Sequence, residues 1–380
     1  MTGLLRLAFL MLYRDRAKYI ALVGGLGFCT FLIAQQAGVF CGVMMLTAAT
    51  LRNIEAEIWV MDSRTEEVNR PVAMRDIEVL RVRSLPGVDW AVPLFWGTLP
   101  ATLPDGSIEN LQVVGLDTGS FAGAPEHMTE GDIRSLLLPD AVILDQVAVE
   151  RFTPRGLKLD IGTQFEINDC TARVVGFCRT KRNFIGFPYA FTTYDRALQW
   201  IPPERKVLSF ILVKAKSGQP VEDVVSQINE IPGLQAITAA GFRTTTMRWY
   251  VQNTGIPVAF GVVVLLGAVF GLWVTGQAFF LFVNDNLRHL AAIKAMGATQ
   301  GSLSIMVIFQ ALFTGVVGYG MGLGFTAVFG FMVFSNQVPA FYLPWQVPAL
   351  VAVLIGIICL FAAALGVWKL RAAEPAMVFK

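Results

Sequence analysis

Residues 295–368 decide the fold: in AMGATQGSLSIMVIFQALFTGVVGYGMGLGFTAVFGFMVFSNQVPAFYLPWQVPALVAVLIGIICLFAAALGVW no residue is charged. Two further tracts without charge lie between Lys18 and Arg52 and between Arg248 and Asp285. A helix needs about 20 apolar residues to cross a bilayer, so the longest tract holds two spans and each other tract holds one. The sequence therefore predicts four membrane spans, at roughly 19–50, 252–283, 303–334 and 347–368.

The charged residues outside these tracts are distributed unevenly. The short segments hold nine basic and three acidic residues, whereas the long segment 52–248 holds 21 basic and 25 acidic residues. Excess Lys and Arg in short loops remains on the cytoplasmic side of a membrane. This pattern predicts a multi-pass membrane protein with both termini and the loop around Arg288 in the cytoplasm and the long segment outside the cytoplasm.

The long segment begins and ends with similar units of strand, helix, Pro-Gly turn and strand. Five further strand candidates lie between the two units, at 108–116, 141–144, 164–168, 172–178 and 188–193. The predicted elements of the two units are 54–61, 75–84 and 89–95, then 210–214, 221–230 and a strand ending at Thr238. We therefore predict an α-helical membrane protein with four transmembrane helices and an α+β extracytoplasmic domain, built from two βαβ halves with a strand-rich insert.

The first two charge-free tracts are longer than a bilayer requires, because a bilayer core is about 30 Å thick and a helix rises about 1.5 Å per residue. Tilted helices explain part of the excess; a stalk that carries the outer domain explains it more fully. The predicted domains are a cytoplasmic amphipathic helix (1–18), the first span with stalk (19–51), the periplasmic domain (52–248), the stalk with second span (249–284), a cytoplasmic coupling helix (285–301), the third span (302–335), a periplasmic turn (336–346), the fourth span (347–368) and a cytoplasmic tail (369–380). The first helix is interpreted either as lying on the inner leaflet or as a flank that only sets topology.

The two cysteines of the long segment, Cys170 and Cys178, leave two interpretations open. An oxidising compartment permits a disulfide between them. The plainer interpretation is two free buried thiols on neighbouring strands, because the segment contains no further cysteine framework.

No recognisable catalytic motif is present. The sequence contains no P-loop, no H-E-x-x-H and no G-x-S-x-G, and it has two histidines, His127 and His289. The spans contain no ionisable residue of the kind that marks an ion or proton pathway. We therefore expect no enzyme, no metal or cofactor bound by this chain, no solute conduit through its own spans and no nucleic-acid partner.

The spans are rich in glycine at four-residue spacing, which allows helices to approach closely in lipid. Two interpretations remain open, namely a dimer interface and packing among the four spans of one chain. The candidate residues are Gly38, Gly42, Gly267, Gly271, Gly318 and Gly322.

Residues 284–299, NDNLRHLAAIKAMGAT, form the most specific segment between two spans. Its apolar side chains recur at helical spacing, and Gly297 is a natural C-terminal cap. A short amphipathic cytoplasmic helix is predicted, which either lies on lipid headgroups or docks into a groove on a soluble partner. The candidate partner contacts are Leu287, Arg288, Leu290, Ile293, Lys294, Met296 and Gly297.

This segment resembles the coupling helix of the MacB/FtsX family of ABC-transporter permeases, in which Arg precedes an Ile–Lys/Arg–Ala–Leu/Met–Gly–Ala run. The matching residues are Arg288, Ile293, Lys294, Ala295, Met296, Gly297 and Ala298. The closing segment 370–376, LRAAEPA, resembles the family's arginine and Asp-Pro-Ala box, with Glu374 in place of Asp. The order of one span, a large outer domain and three spans extends the resemblance over nearly the whole chain.

The resemblance implies a DevC-like permease whose ABC ATPase is a separate chain that holds ATP and Mg. Two permease copies would form a homodimer in the lipid bilayer and act on a periplasmic membrane-fusion adaptor and an outer-membrane channel for efflux. The alternatives are a lipoprotein-releasing permease or an FtsX-like regulator of a cell-wall hydrolase. On this reading, Leu290→Asp or Ile293→Asp is expected to uncouple the ATPase without unfolding the permease.

Overall fold

A computed structural model of the protein describes residues 2–14, 16–153, 156–202, 208–335 and 340–371. The helices are α1 (Thr2–Arg14), α2 (Arg16–Thr47), α3 (Thr50–Asn53), α4 (Ile77–Arg83), α5 (Gln146–Phe152), α6 (Tyr194–Gln199), α7 (Val221–Asn229), α8 (Ala239–Asn253), α9 (Ile256–Asp285), α10 (Leu287–Ala295), α11 (Gln300–Ser335) and α12 (Gln346–Arg371). The strands are β1 (Ile58–Asp62), β2 (Val88–Thr102), β3 (Ile108–Leu116), β4 (His127–Glu130), β5 (Ala141–Asp145), β6 (Gln164–Ile167), β7 (Cys170–Arg179), β8 (Tyr189–Thr193), β9 (Phe210–Ala215) and β10 (Leu234–Thr238).

The chain divides into two compact units. The helical unit comprises Met1–Val43 and Gly255–Lys380, and the inserted domain comprises Met44–Thr254. The residue range of the inserted domain includes the whole of the predicted periplasmic segment, 52–248. Part of the predicted turn 336–346, and the predicted box around Glu374, lie outside the described residues.

Four helices of the described chain, α2, α9, α11 and α12, are long and apolar enough to cross a membrane, which confirms the four predicted spans. The second charge-free tract is not one helix, because α8 ends at Asn253 and α9 begins at Ile256. Pro257 lies in the first turn of α9, where a proline is tolerated because that turn has no helical acceptor for its N–H. The stalk remains a prediction.

Helix α1 packs against the bundle of the helical unit, an arrangement that neither sequence interpretation of this helix included. Ala8 and Leu12 are buried. The side-chain amide of Gln310, itself buried in α11, donates a hydrogen bond to the carbonyl of Ala8 at 2.9 Å. The rings of Phe9 and Phe313 meet edge to face with their centroids 5.3 Å apart. Helix α1 ends at Arg14, so the predicted helix 1–18 is too long, and Lys18 belongs to α2.

The first sheet of the inserted domain has the order β10-β1-β9-β2, with every neighbouring pair antiparallel. The strands β1 and β2 are therefore parallel to each other on either side of β9, and α4 connects them. The strands β9 and β10 are likewise parallel on either side of β1, and α7 connects them. These two interleaved split βαβ units confirm the predicted halves and give a ferredoxin-like sheet.

The second half of β2 belongs to a ring of six hydrogen-bonded strands. Residues Phe95–Thr102 of β2 pair with β3, and the ring continues through β8, β5, β7 and β6 back to β2. The remaining strand, β4, pairs with the outer edge of β7. This ring is the predicted strand-rich insert.

The two cysteines of the inserted domain are free. They lie on one strand, β7, and not on neighbouring strands as predicted. Eight residues of extended chain span about 26 Å, whereas the Cα atoms of a disulfide lie about 4.4–6.8 Å apart. Cys170 and Cys178 therefore cannot bond to each other in this fold.

Candidate functional site

The predicted coupling helix exists as α10, which lies between α9 and α11. The residue between α9 and α10 is Asn286, whose side-chain amide donates to the carbonyl of Phe282 at 2.9 Å. Asn286 therefore satisfies a carbonyl in the last turn of α9 and does not cap the N-terminus of α10. At the same end of the helical unit, Lys18 and Asp285 form a salt bridge of 2.7 Å that joins the start of α2 to the end of α9.

Helix α10 ends at Ala295, and the C-terminal cap that the sequence predicted is formed by Gly297. This residue has φ +97, a left-handed conformation that glycine adopts without the steric cost of a side chain. The amide of Gly297 donates to the carbonyl of Lys294 at 3.0 Å, and the amide of Ala298 donates to the carbonyl of Ile293 at 3.2 Å. This pair of bonds is a Schellman motif, which turns the chain sharply from α10 towards α11.

The apolar face of α10 packs into the core of the helical unit. Leu290 and Ile293 are 2% and 9% exposed. Both belong to the same buried cluster as Phe282, Val283 and Leu303 from α9 and α11. They attach α10 to its own bundle and are not accessible at its surface, so their role as partner contacts remains a prediction that this packing disfavours. Either residue changed to Asp would bury a carboxylate without a partner, so we now expect such variants to destabilise the helical unit.

The accessible residues of α10 and of the cap that follows it form one exposed set at the surface of the helical unit. Met296 is 79% exposed, which is unusual for a large apolar side chain outside a lipid-facing span. Arg288, Gly297 and the unpredicted His289 are also exposed, while Leu287 and Lys294 are half-buried. We term Arg288, His289 and Met296 the exposed α10 set.

The glycines at four-residue spacing pack within the chain. A Cβ at any of the six predicted positions would contact another segment of the helical unit. The neighbours are Phe341 for Gly38, Ala340 and Phe341 for Gly42, Ile33 for Gly267, Cys29 for Gly271, Leu26 for Gly318, and Gly27 and Thr30 for Gly322. These contacts agree with the second sequence interpretation, packing among the spans of one chain. Each of the six glycines is thus in contact with another segment of its own chain, and none of these contacts requires a second copy of the permease.

Three threonine side chains buried in the spans are hydrogen-bonded within their own helices, whereas the hydroxyl of buried Thr275 in α9 has no hydrogen-bond partner among the described residues. The hydroxyls of Thr30, Thr314 and Thr326 each donate to a carbonyl one turn earlier in the same helix, at 2.8–2.9 Å. Such bonds leave these hydroxyls bound to their own helix and not directed at a solute. Among the described residues, no group of three or more His, Cys, Asp or Glu side chains could hold a metal ion.

Two family models together cover most of the sequence. The model of the MacB-like periplasmic core domain matches residues 37–231, about half of the chain, and the model of the FtsX-like permease C-terminal region matches residues 258–375. The chain belongs to the MacB/FtsX family of ABC transporter permeases. A MacB/FtsX permease is a multi-pass inner-membrane subunit with a periplasmic domain, and its family context implies a partner ATPase. No curated protein matches the sequence.

Three solved structures resemble part of this MacB/FtsX permease. The extracellular domain of the ABC-type transporter YknZ from Gram-positive bacteria is 13% identical, with a TM-score of 0.37, over 48% of this chain and 98% of that one. The periplasmic region of MacB from Actinobacillus actinomycetemcomitans is 12% identical, with a TM-score of 0.38, over 53% and 95%. A permease domain from Porphyromonas gingivalis is 12% identical, with a TM-score of 0.31, over 48% and 86%.

Proposed function

We propose that this permease transmits ATP-driven motion from a separate cytoplasmic ATPase to its periplasmic domain, in an export system with a periplasmic adaptor and an outer-membrane channel. The observation that carries the proposal is helix α10, which presents the exposed set Arg288, His289 and Met296 on one side and is fixed to the bundle on the other. Nucleotide state changes the permease only if the ATPase binds two permease conformations with different affinities.

The packing of α10 supports a rigid connection. Leu290 and Ile293 are embedded in the same core as the ends of α9 and α11. A protein interior is close-packed, so a displacement of α10 is passed to both spans and is not absorbed by a soft contact. A docked ATPase would therefore act directly on the spans next to α10.

The hydrogen bonds of the polar residues in the spans support a permease role in which no solute passes through these spans. Three buried threonines, Thr30, Thr314 and Thr326, bond to their own helices, and Gln310 bonds to α1. Polar groups that line a solute path have to remain available to water or to the solute. We therefore propose that cargo is moved outside these spans, by the periplasmic domain and its partners.

We also propose that two permease copies form a homodimer, each with one ATPase docked at α10. The six glycines at four-residue spacing already contact segments of their own chain. The dimer contact would therefore use other surfaces of the spans.

The test is affinity purification of the tagged full-length permease in mild detergent, followed by mass spectrometry. We expect a P-loop ATPase and a membrane-fusion adaptor. Met296→Asp and Arg288→Glu should lose the ATPase at least tenfold while remaining folded, because both side chains are exposed. Arg6→Glu, a charge reversal at an exposed position of α1, is the matched control and should retain it.

The same experiment separates the alternatives. An ATPase recovered with a lipoprotein carrier would favour a lipoprotein-releasing permease, and an ATPase recovered with a wall hydrolase would favour an FtsX-like regulator. Failure to recover any ATPase with the unmodified permease would contradict the proposed role of α10.

A further inference from the structure

The chain passes between the helical unit and the inserted domain twice, at Val43–Met44 and at Thr254–Gly255. Within the inserted domain, the first passage continues through the end of α2 at Thr47 into α3 at Thr50. The second passage is preceded by the last turn of α8, which contains Tyr250. One loop, residues 66–70, contacts both segments, and we term it the junction loop.

Asn69 is the centre of the junction loop. Its side-chain amide nitrogen lies 2.9 Å from the carbonyl oxygen of Thr47, 3.1 Å from a carboxylate oxygen of Glu67 and 3.4 Å from the hydroxyl of Tyr250. Its side-chain oxygen accepts a hydrogen bond from the hydroxyl of Thr50 at 3.2 Å. The carbonyl of Thr47 is one of those that the end of a helix leaves without a helical donor. A single side chain therefore connects the end of α2, the start of α3 and the last turn of α8.

Buried neighbours hold Asn69 in this position. Glu67 is 1% exposed, and its carboxylate accepts a hydrogen bond from the backbone amide of Asn69 at 2.7 Å. Burial raises the pKa of Glu67, and the bonds from Asn69 oppose that rise. The adjacent amide of Val68 donates to the hydroxyl of Thr246 in α8 at 3.4 Å, and both of these residues are fully buried.

A second set of contacts ties the junction loop to α8 at its exposed side. The indole nitrogen of Trp249 donates to the carboxylate of Glu66 at 2.7 Å. The guanidinium of Arg70 lies over the ring of Trp249, 5.7 Å from its centroid. The junction loop thus contacts α8 through its buried and its exposed residues, while Asn69 also binds the end of α2.

We propose that Asn69 is a positioning residue that couples the two segments through which the chain enters and leaves the inserted domain, so that they move as one body. The proposal rests on the proposed transmission of motion through this permease. Motion that reached only one segment would bend the inserted domain at that segment. With Asn69 in place, displacement of either segment is carried to the other through partly buried hydrogen bonds, which are costly to leave unmade.

The first experiment measures hydrogen exchange in the full-length permease in detergent. In Asn69→Ala, we expect exchange about ten times faster in peptides covering both 44–53 and 246–253, because loss of the shared partner frees both segments. Asn110→Ala is the matched control, since Asn110 is an exposed asparagine on β3. Faster exchange in only one segment, or in neither, would overturn the proposal.

Two milder variants serve as a control for the possibility that Asn69→Ala unfolds the whole domain. Tyr250→Phe removes only the hydroxyl that faces Asn69, and Thr50→Val removes only the hydroxyl that donates to it. Each should accelerate exchange in its own segment and, through Asn69, in the other. Tyr250→Phe should add little to Asn69→Ala, because the shared contact is already lost. Full additivity of the two changes would contradict coupling through Asn69.

A further measurement separates this inference from the proposed function. With the ATPase reconstituted, addition of ATP should alter exchange in both segments of the unmodified permease and in only one segment of Asn69→Ala. If no ATPase binds, the proposed function fails, yet the exchange experiment without ATP still tests the coupling. If ATP alters both segments equally in Asn69→Ala, the positioning role of Asn69 is refuted.

Discussion

The replacement Gly322→Ala in α11 tests the internal packing of the spans. A Cβ at this position would lie 2.5 Å from the carbonyl oxygen of Gly27 and 2.5 Å from the Cβ of Thr30. Carbon atoms pack at about 3.5–4.0 Å, so α2 and α11 have to separate by about 1 Å. One of the two opposing atoms belongs to the backbone and cannot rotate away. Overpacking of this kind costs about 1–3 kcal/mol, and the better helix propensity of alanine returns up to about 1 kcal/mol.

Gly320→Ala and Gly324→Ala are matched controls on the same helix, because a Cβ at either position meets nothing within 4 Å. These variants gain helix propensity without a clash and should be as stable as the unmodified permease or slightly more so. The assay is thermal unfolding of the purified permease in detergent, followed by tryptophan fluorescence, with gel filtration to record the oligomeric state. The reasoning would be refuted if Gly322→Ala unfolded at the same temperature as the unmodified permease, or if both controls lost as much stability.

Three further outcomes are expected. Leu290→Asp should prevent accumulation of folded permease, because a buried carboxylate without a partner costs several kcal/mol. Met296→Asp should fold and lose only the binding of the ATPase. Size-exclusion profiles and co-purification of the ATPase check both outcomes. Burial raises the pKa of Asp145 to about 7, so the native state holds a proton that the unfolded chain releases near pH 4. The stability of the inserted domain should therefore fall as pH rises from about 4 to 7, and urea unfolding of Asp145→Asn at several pH values should show a flatter slope. Alkylation of the denatured, unreduced permease should label both Cys170 and Cys178, and intact mass spectrometry that finds either one protected would contradict the placement of both on β7.

The sequence predicted those elements whose pattern is local. Strand β3 has the predicted bounds, 108–116, and β9, α7 and β5 differ from their predicted bounds by one residue. These segments show strong alternation or helical spacing between clear turn residues. The missed elements β4, α5 and α6 span four to seven residues, which is too short for a periodic signal to emerge. Helix α8 was also missed although it spans 15 residues, because its apolar residues do not recur at helical spacing.

The candidate site was less predictable, because an amphipathic pattern identifies the apolar face of a helix without identifying what covers it. In α10 the bundle covers Leu290 and Ile293, which leaves Arg288, His289 and Met296 exposed as the partner contacts that we propose. Asn69 carried no sequence signal at all. Apart from Glu67, its partners lie 19 to 181 residues away along the chain, and only the fold brings them together.

The pairing of β1 has a consequence for the way the inserted domain folds. Ile58 pairs with Val213 on one side and with Thr238 on the other, so both neighbours of β1 are synthesised more than 150 residues later. While the domain is translocated, β1 emerges with both backbone edges unpaired and with Trp59 and Met61, which are buried in the native state, exposed to water. Such long-range pairing slows folding and leaves an aggregation-prone strand unpaired until its partner strands are synthesised. The native pairing of β1 therefore cannot be completed until residue 238 is available to it.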